Sequence, residues 1–136
     1  MQSRIIVTAS ALFLLALGVG LDFLPQEASV RMGLGTASQA ALVIQVLAAA
    51  FLGLGFMNWL SKGNPMGGIY SRPLALQNFL SYGVGAIALD RAVLHGAAPL
   101  AIEAAAMPFT LFTLAFAWLL FFHDPIGQSP KSELPN

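Results

Sequence analysis

The stretch ASQAALVIQVLAAAFLGLGFMNWL, residues 37–60, decides the fold, because it carries no charged side chain over its whole length. A helix needs about 20 mostly apolar residues to cross a hydrocarbon layer of about 30 Å. Three further long and largely apolar stretches occur at residues 5–24, 73–94 and 98–122. The sequence therefore predicts an all-α integral membrane protein, a four-helix bundle with antiparallel, up-down-up-down order.

Helix-breaking residues separate the four predicted spans. Pro25 ends the first span, Gly33 and Gly35 precede the second, and a loop rich in glycine at residues 61–72 follows it. Residues 1–123 are predicted to form a single domain, and residues 124–136 a polar tail with three prolines. The first span is longer than the apolar core of about 7–15 residues in a signal peptide, and no clear cleavage site follows, so we interpret it as a retained helix.

The composition excludes several classes of protein. The chain is 57% hydrophobic and 9% charged, whereas a soluble domain usually carries about 25% charged residues. A net charge of zero offers no basic surface to nucleic acid, and the absence of cysteine removes disulfides and thiolate metal sites. His95 and His123 lie near opposite ends of neighbouring predicted helices, too far apart to bind one haem. We expect no cofactor and no metal, and lipid as the main surrounding solvent.

The basic residues predict the orientation. Four of them fall on the side of the chain termini and two on the other side; these are Arg4, Lys62, Arg72 and Lys131 against Arg31 and Arg91. Because cytoplasmic loops of membrane proteins are enriched in lysine and arginine, this distribution predicts a multi-pass protein with both termini in the cytoplasm.

A cluster of ionisable residues is predicted in the outer half of the bundle. Glu103 lies a few residues into the fourth span, roughly 7–8 Å below the outer surface, and Arg91 lies at a comparable depth in the third. A short turn joins these two spans, so an ion pair between Arg91 and Glu103 is geometrically easy and would neutralise two costly charges. Such a pair either fixes the helix register or belongs to a ligand-binding site, for which the candidate residues are Arg91, Glu103, Asp90, His95 and Gln45.

Other polar and small residues predict contacts between helices. Gln45 is expected to form a hydrogen bond across helices, and Asn58, Gln77 and Asn78 to cap helices or bond between them. Pairs of small residues four positions apart occur in every span and favour close helix packing; they are Ala16/Gly20, Ala49/Gly53, Ser81/Gly85 and Ala101/Ala105.

Four scattered features resemble one family. They are Asp22-Phe23-Leu24-Pro25 at the end of the first span, Arg31-Met32-Gly33 before the second, Asp90-Arg91 near the end of the third, and Glu103 near the start of the fourth. Over residues 5–122 the chain is similar to small bacterial four-helix membrane proteins of the DoxX-like kind, in particular to branches of unknown function. The resemblance implies a bacterial inner-membrane bundle, sometimes an accessory subunit of a larger complex, and no catalytic residue.

Three functions follow as expectations. The first is a non-enzymatic accessory or scaffold subunit or a homo-oligomer, in which loss of Arg91 or Glu103 weakens stability or assembly. The second is a binder or proton-coupled carrier of a small amphipathic or anionic ligand, with Arg91 meeting the ligand and Glu103 releasing it by protonation. The third is a lipid-modifying enzyme that uses Asp90, Glu103 and His95 as acid and base groups.

Overall fold

A computed structural model describes residues 2–63, 71–96 and 98–122, and in these ranges the chain is all helix and turn, without a strand. The helices are α1 (Gln2–Phe23), α2 (Pro25–Arg31), α3 (Ser38–Ser61), α4 (Ser71–Leu94) and α5 (Leu100–Phe121). Three of them are long and apolar enough to cross a membrane, over Ser3–Phe23, Ser38–Ser61 and Leu100–Phe121. The predicted tail at residues 124–136 lies outside the described residues.

Helix α4 matches α3 in length but is more polar, and two of its polar residues point inward. Asn78 and Tyr82 are each 1% exposed. The opposite face of α4 is apolar and open, with exposed side chains at positions three or four apart: Leu76, Leu80, Val84 and Ile87. Asn78 and Tyr82 therefore face the interior of the protein, and the middle of the outward face of α4 is hydrophobic.

The short helix α2 is an element that the sequence prediction lacks. Pro25 ends the first predicted span, but it also begins α2, where its fixed φ and missing N–H suit the first helical turn. After α2 the chain turns through Gly33 and Gly35, whose φ angles of 77° and 76° favour glycine. The buried Ser29 hydroxyl donates to the Gly35 carbonyl and holds this turn closed.

The turn after α2 meets the turn between α4 and α5. A β-carbon at Gly33 would lie 3.2 Å from Pro99 Cγ. We call this end of the molecule the loop end, defined by Gly33 and Pro99.

The helices pack in two pairs, α1 with α3 and α4 with α5, and α1 also contacts α5. Glycines make the closest approaches. A β-carbon at Gly55 of α3 would lie 2.9 Å from Leu15 Cγ on α1, and one at Gly18 of α1 would lie 2.8 Å from Leu52 Cγ on α3. Gly85 of α4 is equally close to the Phe109 ring of α5.

Two of the small-residue pairs predicted to pack helices together do not do so within this chain. Ala16 and Gly20 on α1 are exposed, as are Ala49 and Gly53 on α3. A β-carbon at Gly20 or Gly53 would meet no atom within 4 Å. Of the glycines in these predicted pairs, Gly85 does make a close approach, whereas between α1 and α3 the glycines in contact are Gly18 and Gly55.

Aromatic rings fill the space between the two helix pairs. Tyr82 of α4 stacks on Phe112 and Phe116 of α5, with ring centroids 4.9 and 5.9 Å apart. Phe13 of α1 lies against Tyr82 and against Phe109 at 6.5 and 6.0 Å. Such aromatic pairs add stability beyond the area that they bury, which helps to fix α1 against α4 and α5.

Candidate functional site

Four buried polar side chains from three helices form one hydrogen-bonded network. Ser10 lies on α1, Asn58 on α3, and Asn78 and Tyr82 on α4, and none of them is more than 1% exposed. The Ser10 and Tyr82 hydroxyls are 2.8 Å apart, and Asn58 Nδ2 donates to Ser10 Oγ at 2.9 Å. We call this set the polar network; it connects the α1–α3 pair to α4.

The two asparagines at its centre bond reciprocally. Asn58 Nδ2 donates to Asn78 Oδ1 and Asn78 Nδ2 donates to Asn58 Oδ1, both at 2.7 Å. Each amide uses its second N–H as well, Asn58 toward Ser10 and Asn78 toward the Leu74 carbonyl at 2.9 Å. Among the described residues, no buried side-chain nitrogen or oxygen lacks a partner. Every side-chain nitrogen and oxygen of the polar network therefore has at least one hydrogen-bond partner, and both asparagines use both of their N–H groups within the protein.

Of the two roles predicted for Asn58 and Asn78, capping a helix or bonding between helices, the structure shows the second. The roles of Ser10 and Tyr82 were missed. A single serine in an apolar span does not by itself indicate a hydrogen-bonded network. A tyrosine inside a helix is most simply interpreted as an aromatic core residue. The available signal was the coincidence of a tyrosine with Asn78 one helical turn earlier on the same face.

Arg91 and Glu103 are not brought together. Both side chains are exposed, and the ion pair found among the described residues joins Arg31 to Glu27 at 2.7 Å. That pair links two residues of α2 and is largely solvent-exposed, so its contribution to stability is small. Spacing places Arg91 and Glu103 at one level of the α4–α5 hairpin, but the rotation of each helix turns them outward.

Asp90 takes the inward position near the loop end. Its Oδ2 accepts a hydrogen bond from Thr110 Oγ1 of α5 at 3.0 Å, and the contact is partly buried. Asp90 and Thr110 thus join α4 to α5, about 10 Å along α5 from the level predicted for the contact of Glu103 with Arg91.

His95 and Gln45, the remaining candidates, are both exposed. His95 follows α4 and its backbone N–H continues the helix by donating to the Arg91 carbonyl. Gln45 lies on the outward face of α3, and within the described residues its side chain forms no hydrogen bond. The five predicted site residues therefore do not converge on one pocket.

Two shallow grooves occur elsewhere, far from these candidates in the chain. One, of about 370 Å³, runs along the first turns of α1 at Arg4, Ile5 and Leu12. The other, of about 430 Å³, lies between Arg72 and Leu76 on α4 and Phe121 on α5. Their walls are almost wholly apolar, and the described residues contain no cluster of three His, Asp or Glu side chains that would hold a metal ion.

Comparison of the chain with protein-family models, curated proteins and solved structures finds no match. The resemblance to DoxX-like proteins stays a prediction from the residues quoted above.

Proposed function

We propose that the protein is a non-enzymatic membrane subunit, an antiparallel bundle of four spanning helices that serves as an accessory or scaffold element. The observation that carries this proposal is that the side chains of the polar network bond to one another across three helices, with a partner for each nitrogen and oxygen. A transport or catalytic site keeps polar groups available for its ligand. The side chains of the polar network instead form hydrogen bonds that join helices. Hydrogen bonds between helices are a usual means of fixing a bundle in lipid, where apolar contact alone gives little specificity.

Helix α4 is the fourth span in this proposal. At 24 residues its length is about 36 Å, enough to cross a hydrocarbon layer of about 30 Å. Its outward residues, such as Leu80 at 52% and Val84 at 68% exposure, suit lipid. Its inward asparagine and tyrosine are buried against α1, α3 and α5, where their hydrogen bonds are made.

The proposed location is the bacterial inner membrane, with both termini in the cytoplasm. The excess of lysine and arginine on the terminal side supports this orientation. At the end of α3, Lys62 Nζ lies 2.8 Å from the centre of the Trp59 ring. A tryptophan beside a lysine at a helix end is typical of the membrane–water boundary.

Native mass spectrometry of the protein extracted from its own membrane tests the proposed role. An accessory or scaffold subunit is expected to retain another copy or another membrane polypeptide at a fixed stoichiometry. The variants Arg91→Gln and Glu103→Gln are expected to change that assembly no more than Arg31→Gln, the control on α2, because both side chains are exposed and lie outside the polar network.

The opposing result is a bound small molecule. If one amphipathic or anionic ligand accompanies the wild-type chain and is lost from Arg91→Gln and Glu103→Gln but kept in Arg31→Gln, the protein is a carrier or binder. The proposal of a scaffold is then wrong.

A further inference from the structure

Gln45 places a primary amide on the outward, apolar face of α3. It lies seven residues beyond Ser38, about 10 Å along the helix axis. Its neighbours on the open side are Leu42 and Val46, which are 60% and 65% exposed. Within the described residues the Gln45 side chain has no hydrogen-bond partner, although every buried side-chain polar atom there is paired. An amide that faces hydrocarbon without a partner is costly.

Two small residues follow Gln45 on the same side of α3. Ala49 and Gly53 follow at intervals of four residues, both are exposed, and a β-carbon at Gly53 would meet nothing within 4 Å. Gly55, two residues further along α3, packs closely against Leu15 of α1. The face of Gln45, Ala49 and Gly53, which we call the Gln45 face, is thus open to close approach by a helix outside this chain.

We propose that the Gln45 face binds a second copy of this chain, and that Gln45 pairs with the same residue of that copy. A primary amide carries a donor and an acceptor, so two identical amides close two hydrogen bonds, as Asn58 and Asn78 do within the polar network at 2.7 Å each. The inference rests on the proposed membrane-spanning arrangement of α3.

Symmetry favours a second copy over an unrelated partner. Two copies inserted in the same direction and related by a two-fold axis along the membrane normal bring identical residues to the same depth. Gln45 then meets Gln45 without any offset, while Ala49 and Gly53 leave room for the backbones to approach. A glutamine at this depth is self-complementary, which a lone carboxylate or a lone arginine is not.

Förster resonance energy transfer between dye-labelled copies of the chain tests this proposal. The chain has no cysteine, so a single Gly63→Cys substitution at an exposed position accepts a donor or an acceptor dye. In phosphatidylcholine–phosphatidylglycerol vesicles, transfer is expected to exceed the level for randomly placed copies and to rise with the protein-to-lipid ratio. Gln45→Leu is expected to weaken association about tenfold, the scale of one interhelical polar contact in model peptides.

Two matched controls distinguish the loss of contacts at the Gln45 face from the effect of making the protein surface more hydrophobic. Gln39→Leu removes an exposed glutamine from the start of the same helix, and Gly20→Leu adds the same bulk as Gly53→Leu at an equally open glycine of α1. We expect Gly53→Leu to weaken association and both controls to leave it within twofold of wild type.

The proposal is wrong if the energy-transfer efficiency of the wild type equals that expected for randomly placed copies. It is also wrong if the wild type, Gln45→Leu and Gly53→Leu self-associate with equal affinity. Labelling of Gly63→Cys from each side of the vesicle reports insertion separately. If the chain inserts as proposed but does not associate, the second copy is wrong while the membrane bundle stands. If the chain does not insert, the membrane proposal itself fails.

Discussion

Asn58 holds the central position of the polar network, because its amide nitrogen donates to side chains on two other helices. It bonds to Ser10 on α1 and to Asn78 on α4, and its oxygen accepts from Asn78. Removal of this one side chain leaves the buried Asn78 amide with neither its donor nor its acceptor on α3. A buried polar group without a partner costs more than the bond itself contributes, so the loss is larger than that of one hydrogen bond.

Asn58→Leu is therefore expected to lower the free energy of unfolding by about 1–3 kcal/mol. Leucine has a similar size, so the effect reports the unpaired Asn78 amide rather than a cavity. The double variant Asn58→Leu/Asn78→Leu removes both amides and is expected to cost less than the sum of the two single variants. Reversible unfolding in mixed detergent micelles, analysed as a double-mutant cycle, measures this coupling. Strict additivity would contradict the reciprocal pair, and Gln39→Leu, on the exposed surface of α3, serves as the control.

Tyr82 combines two contributions that a pair of substitutions separates. Its hydroxyl bonds to Ser10 at 2.8 Å, and its ring stacks on Phe112 and Phe116. Tyr82→Phe is expected to lower the unfolding free energy by about 1 kcal/mol, because only one hydrogen bond is lost. Tyr82→Ala also removes the ring and is expected to cost about 3–5 kcal/mol. Similar losses in the same unfolding measurement would show that the ring contributes little.

At the scale of the helix, alanine substitutions at Gly53 and Gly55 are expected to change the stability of the protein in opposite directions, although the two glycines lie two residues apart on α3. A β-carbon at Gly53 meets open space, whereas one at Gly55 would lie 2.9 Å from Leu15 Cγ and 3.1 Å from the Leu15 backbone nitrogen. Gly53→Ala is expected to stabilise the protein by about 0.5–1 kcal/mol through helix propensity. Gly55→Ala is expected to destabilise it by about 1–3 kcal/mol, because the α1 backbone must move away.

Thermal unfolding of these two variants in detergent, at a dilution that keeps the chain monomeric, checks the prediction. Gly20→Ala on α1 provides a second open position and should behave like Gly53→Ala. Equal stability of Gly53→Ala and Gly55→Ala would contradict the close approach of α1 and α3.

The sequence predicted the long helices well and their rotation poorly, for a physical reason. Apolar length alone sets where a spanning helix begins and ends, so α3 and α5 lie within two residues of their predicted bounds. In lipid the inward and outward faces are both apolar, so hydropathy carries little information on which side packs. That is why the packing of Gly55 was not predicted, and why Arg91 was predicted to point at Glu103.

The candidate site shows the same limit. The similar distance of Arg91 and Glu103 from the short turn between α4 and α5 can be predicted from the sequence. Whether Asp90 or Arg91 faces α5 depends on a rotation of about 100°, and the hydrogen bond from Thr110 to Asp90 shows that Asp90 does. Asn58 and Asn78 were predictable as partners because an amide buried in an apolar helix must find another polar group.

At the scale of the whole molecule, α4 determines how many times the chain crosses the membrane. By composition α1, α3 and α5 qualify as spans, and three spans would place the two ends of the described chain on opposite sides. Helix α4 contributes Asn78 and Tyr82 to the polar network that joins it to α1 and α3. Because that network lies inside the bundle, we expect α4 to be inserted alongside its partners, with Val84 and Ile87 toward lipid.

Labelling of single cysteines with a membrane-impermeant maleimide distinguishes four spans from three. Thr36, Gly63 and His95 are exposed positions in three different turns, and the chain has no cysteine of its own. With four spans and cytoplasmic termini, Thr36→Cys and His95→Cys are labelled from outside right-side-out vesicles, and Gly63→Cys only after the vesicles are opened. If α4 does not cross, His95→Cys instead behaves like Gly63→Cys, because both then lie on one side. Labelling of Gly63→Cys alone from outside would keep the four spans but reverse the orientation that the basic residues predict.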